Sequence, residues 1–180
     1  YFPKNVLMNI KGYESIDTVL DRGEKALSAT DFEVVANETE ALILDSRQTD
    51  DFAAGFIPNS INIGLDSNFA MWVGELIPDI KQEILLVTDE GKEEETITRL
   101  ARVGYDHAIG FLKGGFETWK AAGKDIETVN RISVDEFVER YKNEQPLVID
   151  VRKKSEYASE HIIDAINIPL NAINEHLAEI

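Results

Sequence analysis

The sequence predicts an α/β fold, a parallel sheet flanked by helices, followed by a partial second copy of the same unit. Three observations carry this reading. Uninterrupted apolar runs such as Leu42-Ile43-Leu44 and Ile84-Leu85-Leu86-Val87 have the pattern of strands buried on both faces. Segments with apolar residues at helical spacing lie between them. The first half of the pattern then recurs in register and without gaps. Leu42-Ile43-Leu44-Asp45-Ser46-Arg47 matches Leu147-Val148-Ile149-Asp150-Val151-Arg152, and Ile61-Asn62-Ile63 matches Ile166-Asn167-Ile168. Upstream, Ser28 and Phe32 match Ser133 and Phe137. Polar Asp, Arg and Asn return in step with the apolar positions, which marks a true repeat.

The elements follow from local signals. Residues 15–20 form a helical patch that Ser15 or Asp17 can cap. Residues 41–44 read as a strand ending at Asp45. Residues 49–54 read as a short helix, with Thr49 as its cap and acids in its first turn. Gly55, Pro58 and Asn59 are turn residues, and residues 60–63 form a second strand. Phe69, Trp72, Val73 and Leu76 lie at helical spacing within 68–77. A third strand covers 84–87. Residues 93–103 form an amphipathic helix carrying Ile97, Leu100 and Val103, closed by Gly104. A fourth strand covers 107–112. Gly114-Gly115 lets the chain turn tightly into a helix over 116–122, which Gly123 ends.

The repeat divides the chain. Residues 1–26 read as a linker or the tail of an upstream domain, and 27–124 as the first unit. Residues 125–131 are a connector, and 132–180 the N-terminal half of a second unit. The chain opens on Tyr1 without an initiator Met, so a preceding part is expected. The second unit is expected to continue past Ile180.

Composition narrows the function. The chain is 43% hydrophobic and 29% charged, a folded rather than a disordered composition. No run approaches the ~18 apolar residues of a membrane helix. The N-terminus has no secretory pattern, and the cytoplasm is the expected compartment. With 18 basic and 34 acidic residues the net charge is −16, which repels phosphate backbones and anionic lipid. Neither nucleic acid nor membrane is an expected partner. The chain has no cysteine, so it has no disulfide, thiolate metal site or cysteine nucleophile.

Two stretches carry a family resemblance. Leu44-Asp45-Ser46-Arg47, Asp51-Phe52 and the run from Gly55 to Ile63 resemble the first signature of rhodanese-like domains. Gly104-Tyr105 and the run from Leu112 to Trp119 resemble the second. The second copy carries the first signature only. The resemblance implies a parallel five-stranded sheet between helices. It also implies sulfurtransferase-related chemistry at a cysteine on the loop after the third strand. The whole chain is similar to the C-terminal region of fusions between a metallo-β-lactamase-fold domain and tandem rhodanese domains. The opening from Tyr1 to Ser28 looks like their linker, and residues 69–74 like part of their first repeat. Expected partners are therefore an upstream metallo-β-lactamase-fold domain or a second copy of the chain. No cofactor is expected.

The loop Thr88-Asp89-Glu90-Gly91-Lys92-Glu93 stands where that cysteine belongs, with Thr88 at its position. Neither Thr88 nor Asp89 can carry a persulfide. Asp89, Glu90, Glu93, Glu94 and Glu95 face a single basic residue, Lys92. Two like charges ~5 Å apart at an effective ε of ~20 repel by about 3 kcal/mol, less where water screens them. The reading is a vestigial loop, with no catalytic residue and acids that suit a helix N-terminus. The sulfurtransferase alternative places the cysteine in the second repeat, past residue 180.

The remaining candidates read as structural. Arg47 with Asp51, and Arg152 with Glu156, recur at one spacing and are expected to pair, pinning each strand to the following helix. Asp45 and Asp150 are expected to accept backbone N–H groups at the turn. His107, His161 and His176 lack metal-ligand spacing. Trp72 and Trp119 are expected in the core, with Trp72 a docking residue if it is exposed.

Overall fold

A computed structural model describes residues 14–176. The chain forms two compact units, Tyr1–Asn130 and Arg131–Ile180.

The first unit is built on a five-stranded parallel sheet in the order β1-β5-β4-β2-β3. Its strands are β1 (Ala26–Leu27), β2 (Leu42–Asp45), β3 (Ile61–Asn62), β4 (Ile84–Val87) and β5 (Ala108–Leu112). The helices are α1 (Ile16–Gly23), α2 (Ala29–Thr39), α3 (Thr49–Ala54), α4 (Phe69–Leu76), α5 (Glu93–Ala101) and α6 (Gly115–Ala121). Side chains alternate across the sheet as the pleat requires. Leu44, Ile84 and Leu86 meet Val19 of α1, Phe69 and Val73 of α4, and Ile97 and Leu100 of α5. Ile43, Leu85 and Val87 meet Phe32 of α2 and Phe116 and Trp119 of α6. Central β4 is sealed on both faces, which is why its sequence is apolar throughout. The five-stranded parallel sheet flanked by helices is the expected class, while β1 and α2 are elements that the local signals did not mark.

The boundaries differ from expectation at both ends of the unit. Of the expected linker, residues 16–23 and Ala26 are part of the fold. The Ser15 hydroxyl accepts from the Thr18 N–H and caps α1, whose Val19 is only 1% exposed. β1 pairs with β5, its flanks held by Phe111 N–H donating to Lys25 O and Lys113 N–H to Leu27 O. The expected connector also folds back. Phe56 and Glu127 exchange backbone hydrogen bonds of 2.9 and 3.0 Å, and the Val129 N–H donates to Ala53 O at 2.9 Å. Resemblance of the opening residues to a linker lies, for residues 1–13, outside the described residues. The expected Thr49 cap is also corrected. Thr49 is the first helical residue of α3, and Gln48 holds the cap position without a side-chain bond to the helix.

The second unit repeats the start of the first. Its elements are α7 (Val134–Glu144), β6 (Ile149–Asp150), α8 (Lys154–Ser159), β7 (Ile166–Asn167) and α9 (Ile173–His176). Ser133 caps α7 through the Glu136 N–H, as Ser28 caps α2 through the Asp31 N–H. β6 pairs with β7 as Ile149 with Ile166 and Asp150 with Asn167, the register of Leu44 with Ile61 and Asp45 with Asn62. Its apolar residues are poorly covered: Leu147 and Ile163 are exposed, while Ala165 and Ile168 are buried.

Val19→Ala tests the integration of α1. It removes buried methyls from the core and lowers stability by about 2 kcal/mol. A urea midpoint unchanged from the parent chain would show that α1 contributes nothing to the fold.

Candidate functional site

The carboxyl ends of β2 and β4 lie side by side, with Asp45 paired in register to Val87. In a parallel sheet this edge, where loops meet helix N-termini, is where ligands sit.

The β2 end is locked by one carboxylate. Asp45 accepts the Arg47 N–H at 3.0 Å, the Arg47 Nε–H at 3.0 Å and the Nη2–H at 2.6 Å. The same Nη2 group donates to Gly55 O at 2.9 Å, at the end of α3. The guanidinium carbon lies 4.3 Å from the centre of the Phe116 ring on α6. Asn62 Nδ2 donates to the carbonyls of both Asp45 and Arg47, tying β3 into the turn. The second unit copies this arrangement: Arg152 forks onto Asp150 and donates to Glu160 O, and Asn167 bridges Asp150 O and Arg152 O.

This corrects the expected ion pairs. Arg47 binds Asp45, not Asp51, and Arg152 binds Asp150, not Glu156. The arginine two residues on folds back and meets the carboxylate with two donors at once, a better match than a monodentate contact to the helix. Glu156 instead accepts the Lys153 N–H at 3.2 Å at the start of α8. Asp51 is left facing a cavity. The expected backbone N–H bonds to Asp45 and Asp150 are present.

That cavity has a volume of about 520 Å³. Thr88, Asp89 and Glu90 line one side, Asp51 and Gly55 another, and Glu117 and Lys120 of α6 a third. Thr88 is nearly fully buried at the end of β4. Gly114 and Gly115 have φ of +75° and +63°, and a Cβ on Gly115 would lie 2.9 Å from Thr88 O. Glycine there lets α6 close over the cavity. Of the five acids around the loop, Asp89 and Glu90 line the cavity. Glu95 is drawn away by Lys92 at 2.8 Å and Arg99 at 2.6 Å. Its hydrogen bond to Lys92 holds its carboxyl below the usual carboxylate range and raises the Lys92 ammonium. The Ser46 and Thr96 hydroxyls meet at 3.3 Å, joining the β2 end to α5.

Sequence reasoning missed Glu117 and Lys120. Their signal was available, one helical turn apart directly after Gly114-Gly115. The cavity thus carries four carboxylates, Asp51, Asp89, Glu90 and Glu117, against Lys120 and an Arg47 already committed to Asp45. Among the described residues no group of His, Cys, Asp or Glu could hold a metal ion, and no helix is long and apolar enough to cross a membrane. Trp119 is buried, donating to Asp125 O at 2.8 Å, and Trp72 is half-buried.

Burial pushes the Asp45 carboxyl above the usual carboxylate range, against the lowering pull of Arg47, and the nearby Asp89 adds to the rise. Asp150, in the same fork but less deeply buried, is held below that range by the hydrogen bonds from Arg152. Between the ordinary value and the raised one the unfolded chain ionises first, so Asp45 costs stability as pH rises through that window. Asp150 contributes stability above the ordinary value and loses it as pH falls through its lowered one. Side-chain carbon NMR titration is expected to place the two on opposite sides of a free aspartate; a shared midpoint refutes the burial account. Asp45→Asn leaves a buried guanidinium without its counter-charge and destabilises the first unit by about 3–5 kcal/mol, read as a loss of urea midpoint.

The family model described as rhodanese-like domain matches residues 28–122 and 133–180. YibN, an uncharacterized protein of Escherichia coli strain K12, is 29% identical over 125 residues, which cover 69% of this chain and 80% of YibN. The crystal structure of a thiosulfate sulfurtransferase from Pseudomonas aeruginosa superposes with a TM-score of 0.50 at 21% identity, over 91% of this chain and 38% of that one. The Alr3790 protein from Anabaena sp. superposes with a TM-score of 0.50 at 19% identity, over 65% of this chain and 98% of that one. The structural likenesses establish the fold, and the two separate family matches fall on the two copies of the repeat. With a five-stranded parallel sheet and both copies of the Asp-x-Arg turn, the chain belongs to the rhodanese-like domain family.

Proposed function

We propose that this chain is a non-catalytic rhodanese-like module, a structural or docking part of a larger sulfur-handling protein. The observation that carries this reading is the chemistry of the Thr88 cavity. A sulfane sulfur needs a thiolate to accept it, and the chain has no cysteine. A threonine hydroxyl, such as that of Thr88 in this cavity, is a poor acceptor of sulfane sulfur. Four carboxylates there repel thiosulfate and phosphate alike. The first unit then serves to hold its neighbours in place, with an upstream metallo-β-lactamase-fold domain as the proposed partner and the cytoplasm as the proposed setting.

A second reading is favoured by the family match over residues 133–180. The turn around Asp150 and Arg152 reproduces the geometry of the first unit, so the second repeat is the place where a catalytic cysteine beyond residue 180 would be positioned. The parent would then be a sulfurtransferase whose first repeat is inactive.

Two measurements test the first-unit reading. The chain is expected to show only background turnover with thiosulfate and cyanide, and no heat on thiosulfate titration. Thr88→Cys alone is expected to stay at background, because burial and the neighbouring carboxylates raise its thiol above the ordinary value of about 8.5. Rates of alkylation against pH report that value directly. Thiolate formation at neutral pH, or turnover by the variant well above background, would sink the electrostatic argument.

A further inference from the structure

A second cavity, of about 590 Å³, lies between the start of α4 and the end of α5. Its volume falls in the range of small-molecule sites, about 300–1,000 Å³. Phe69, Ala70, Met71 and Val103 make its wall largely apolar. Its charged lining is Arg99 and Arg102, with no carboxylate. In a chain with 34 acids and 18 bases this is the reverse of the general surface, and the reverse of the Thr88 cavity.

The two arginines differ. Arg99 is half-buried and fixed, donating to Leu65 O at 2.7 Å and to Glu95 at 2.6 Å. Glu95 also binds Lys92, so this three-residue cluster keeps one positive charge. Arg102 is exposed, and its guanidinium has no ion-pair partner among the described residues. Met71 is 49% exposed although Phe69 and Val73 of the same helix are buried. The cap residue of α4, Asn68, makes no side-chain bond to the helix and also lines the cavity, so the positive end of α4 opens onto the same space.

We propose that this cavity binds a small organic anion with an apolar body, a medium-chain carboxylate. The carboxylate meets Arg102, with Arg99 as a fixed second charge, and the chain lies against Phe69, Met71 and Val103. Charge selects the head group: an amine of the same length meets two like charges, and an alcohol leaves Arg102 unpaired. This site stands whether or not the Thr88 cavity is catalytic.

The test titrates the whole chain with octanoate, octylamine and octanol, read by calorimetry and by the methyl resonance of Met71. Octanoate is expected to bind and shift that resonance, octanol to bind about tenfold more weakly, and octylamine not at all. Arg102→Gln is expected to weaken octanoate about tenfold, to leave octanol unchanged and to keep the parent urea midpoint. Met71→Asp, which puts a carboxylate into the cavity, is expected to abolish octanoate binding. The proposal is overturned if octylamine or octanol binds as well as octanoate, if the Met71 resonance does not move, or if the Arg102→Gln protein binds octanoate like the parent.

Discussion

A buried carboxylate holding a folded-back arginine organises the carboxyl edge of the first sheet. Asp45 sits at the end of β2, and through Arg47 it reaches the end of α3 and the Phe116 ring of α6. Asn62 closes the turn from β3. Two helices and two strands therefore depend on one ion pair. A buried pair stabilises only where its geometry is good and its remaining donors are satisfied. Here the fork is bidentate, and a further guanidinium proton finds a carbonyl. Because Arg47 is spent on this task, it is not available to attract an anion into the neighbouring cavity.

That commitment shapes the chemistry of the Thr88 cavity. The fold places the cavity where parallel sheets bind ligands, beyond the strand ends and near the start of α5. The side chains then undo the advantage. Acids arrive from three directions, on α3, on the loop after β4 and on α6. Lys120, the other cation among the described residues lining the cavity, is outnumbered by four carboxylates. The positive end of α5 is offset by Glu93, Glu94 and Glu95 in its first turn. On the face between α4 and α5 the balance is inverted, because Lys92 and Arg99 draw Glu95 between them and Arg102 is left over.

The two copies of the Asp-x-Arg turn separate local from tertiary causes. The hydrogen bonds around Asp150 repeat those around Asp45 nearly distance for distance. Such a turn is encoded by residues two apart and by one asparagine, and needs no core to form. Burial differs, however, and the two carboxyls shift in opposite directions. The same short sequence thus gives the same geometry with different electrostatics, according to what packs over it.

Sequence alone determined the α/β class, the β2, β4 and β5 strands, the α5 helix and the loop that follows β4, because apolar runs and helical spacing are local and strong. It also determined the chemical limit, since a chain without cysteine has no thiolate wherever it folds. Tertiary structure decided what short-range pattern cannot carry. Ala26-Leu27 is a strand only because β5 lies beside it, and the α1 residues are core only because α5 and β5 receive Val19 and Gly23. Arg47 chose Asp45 over Asp51 by side-chain reach and fork geometry. Asp51 and Glu117 became neighbours of Thr88 only when α3 and α6 closed on the sheet edge, because the charge of a cavity belongs to residues distant in the chain that folding brings together.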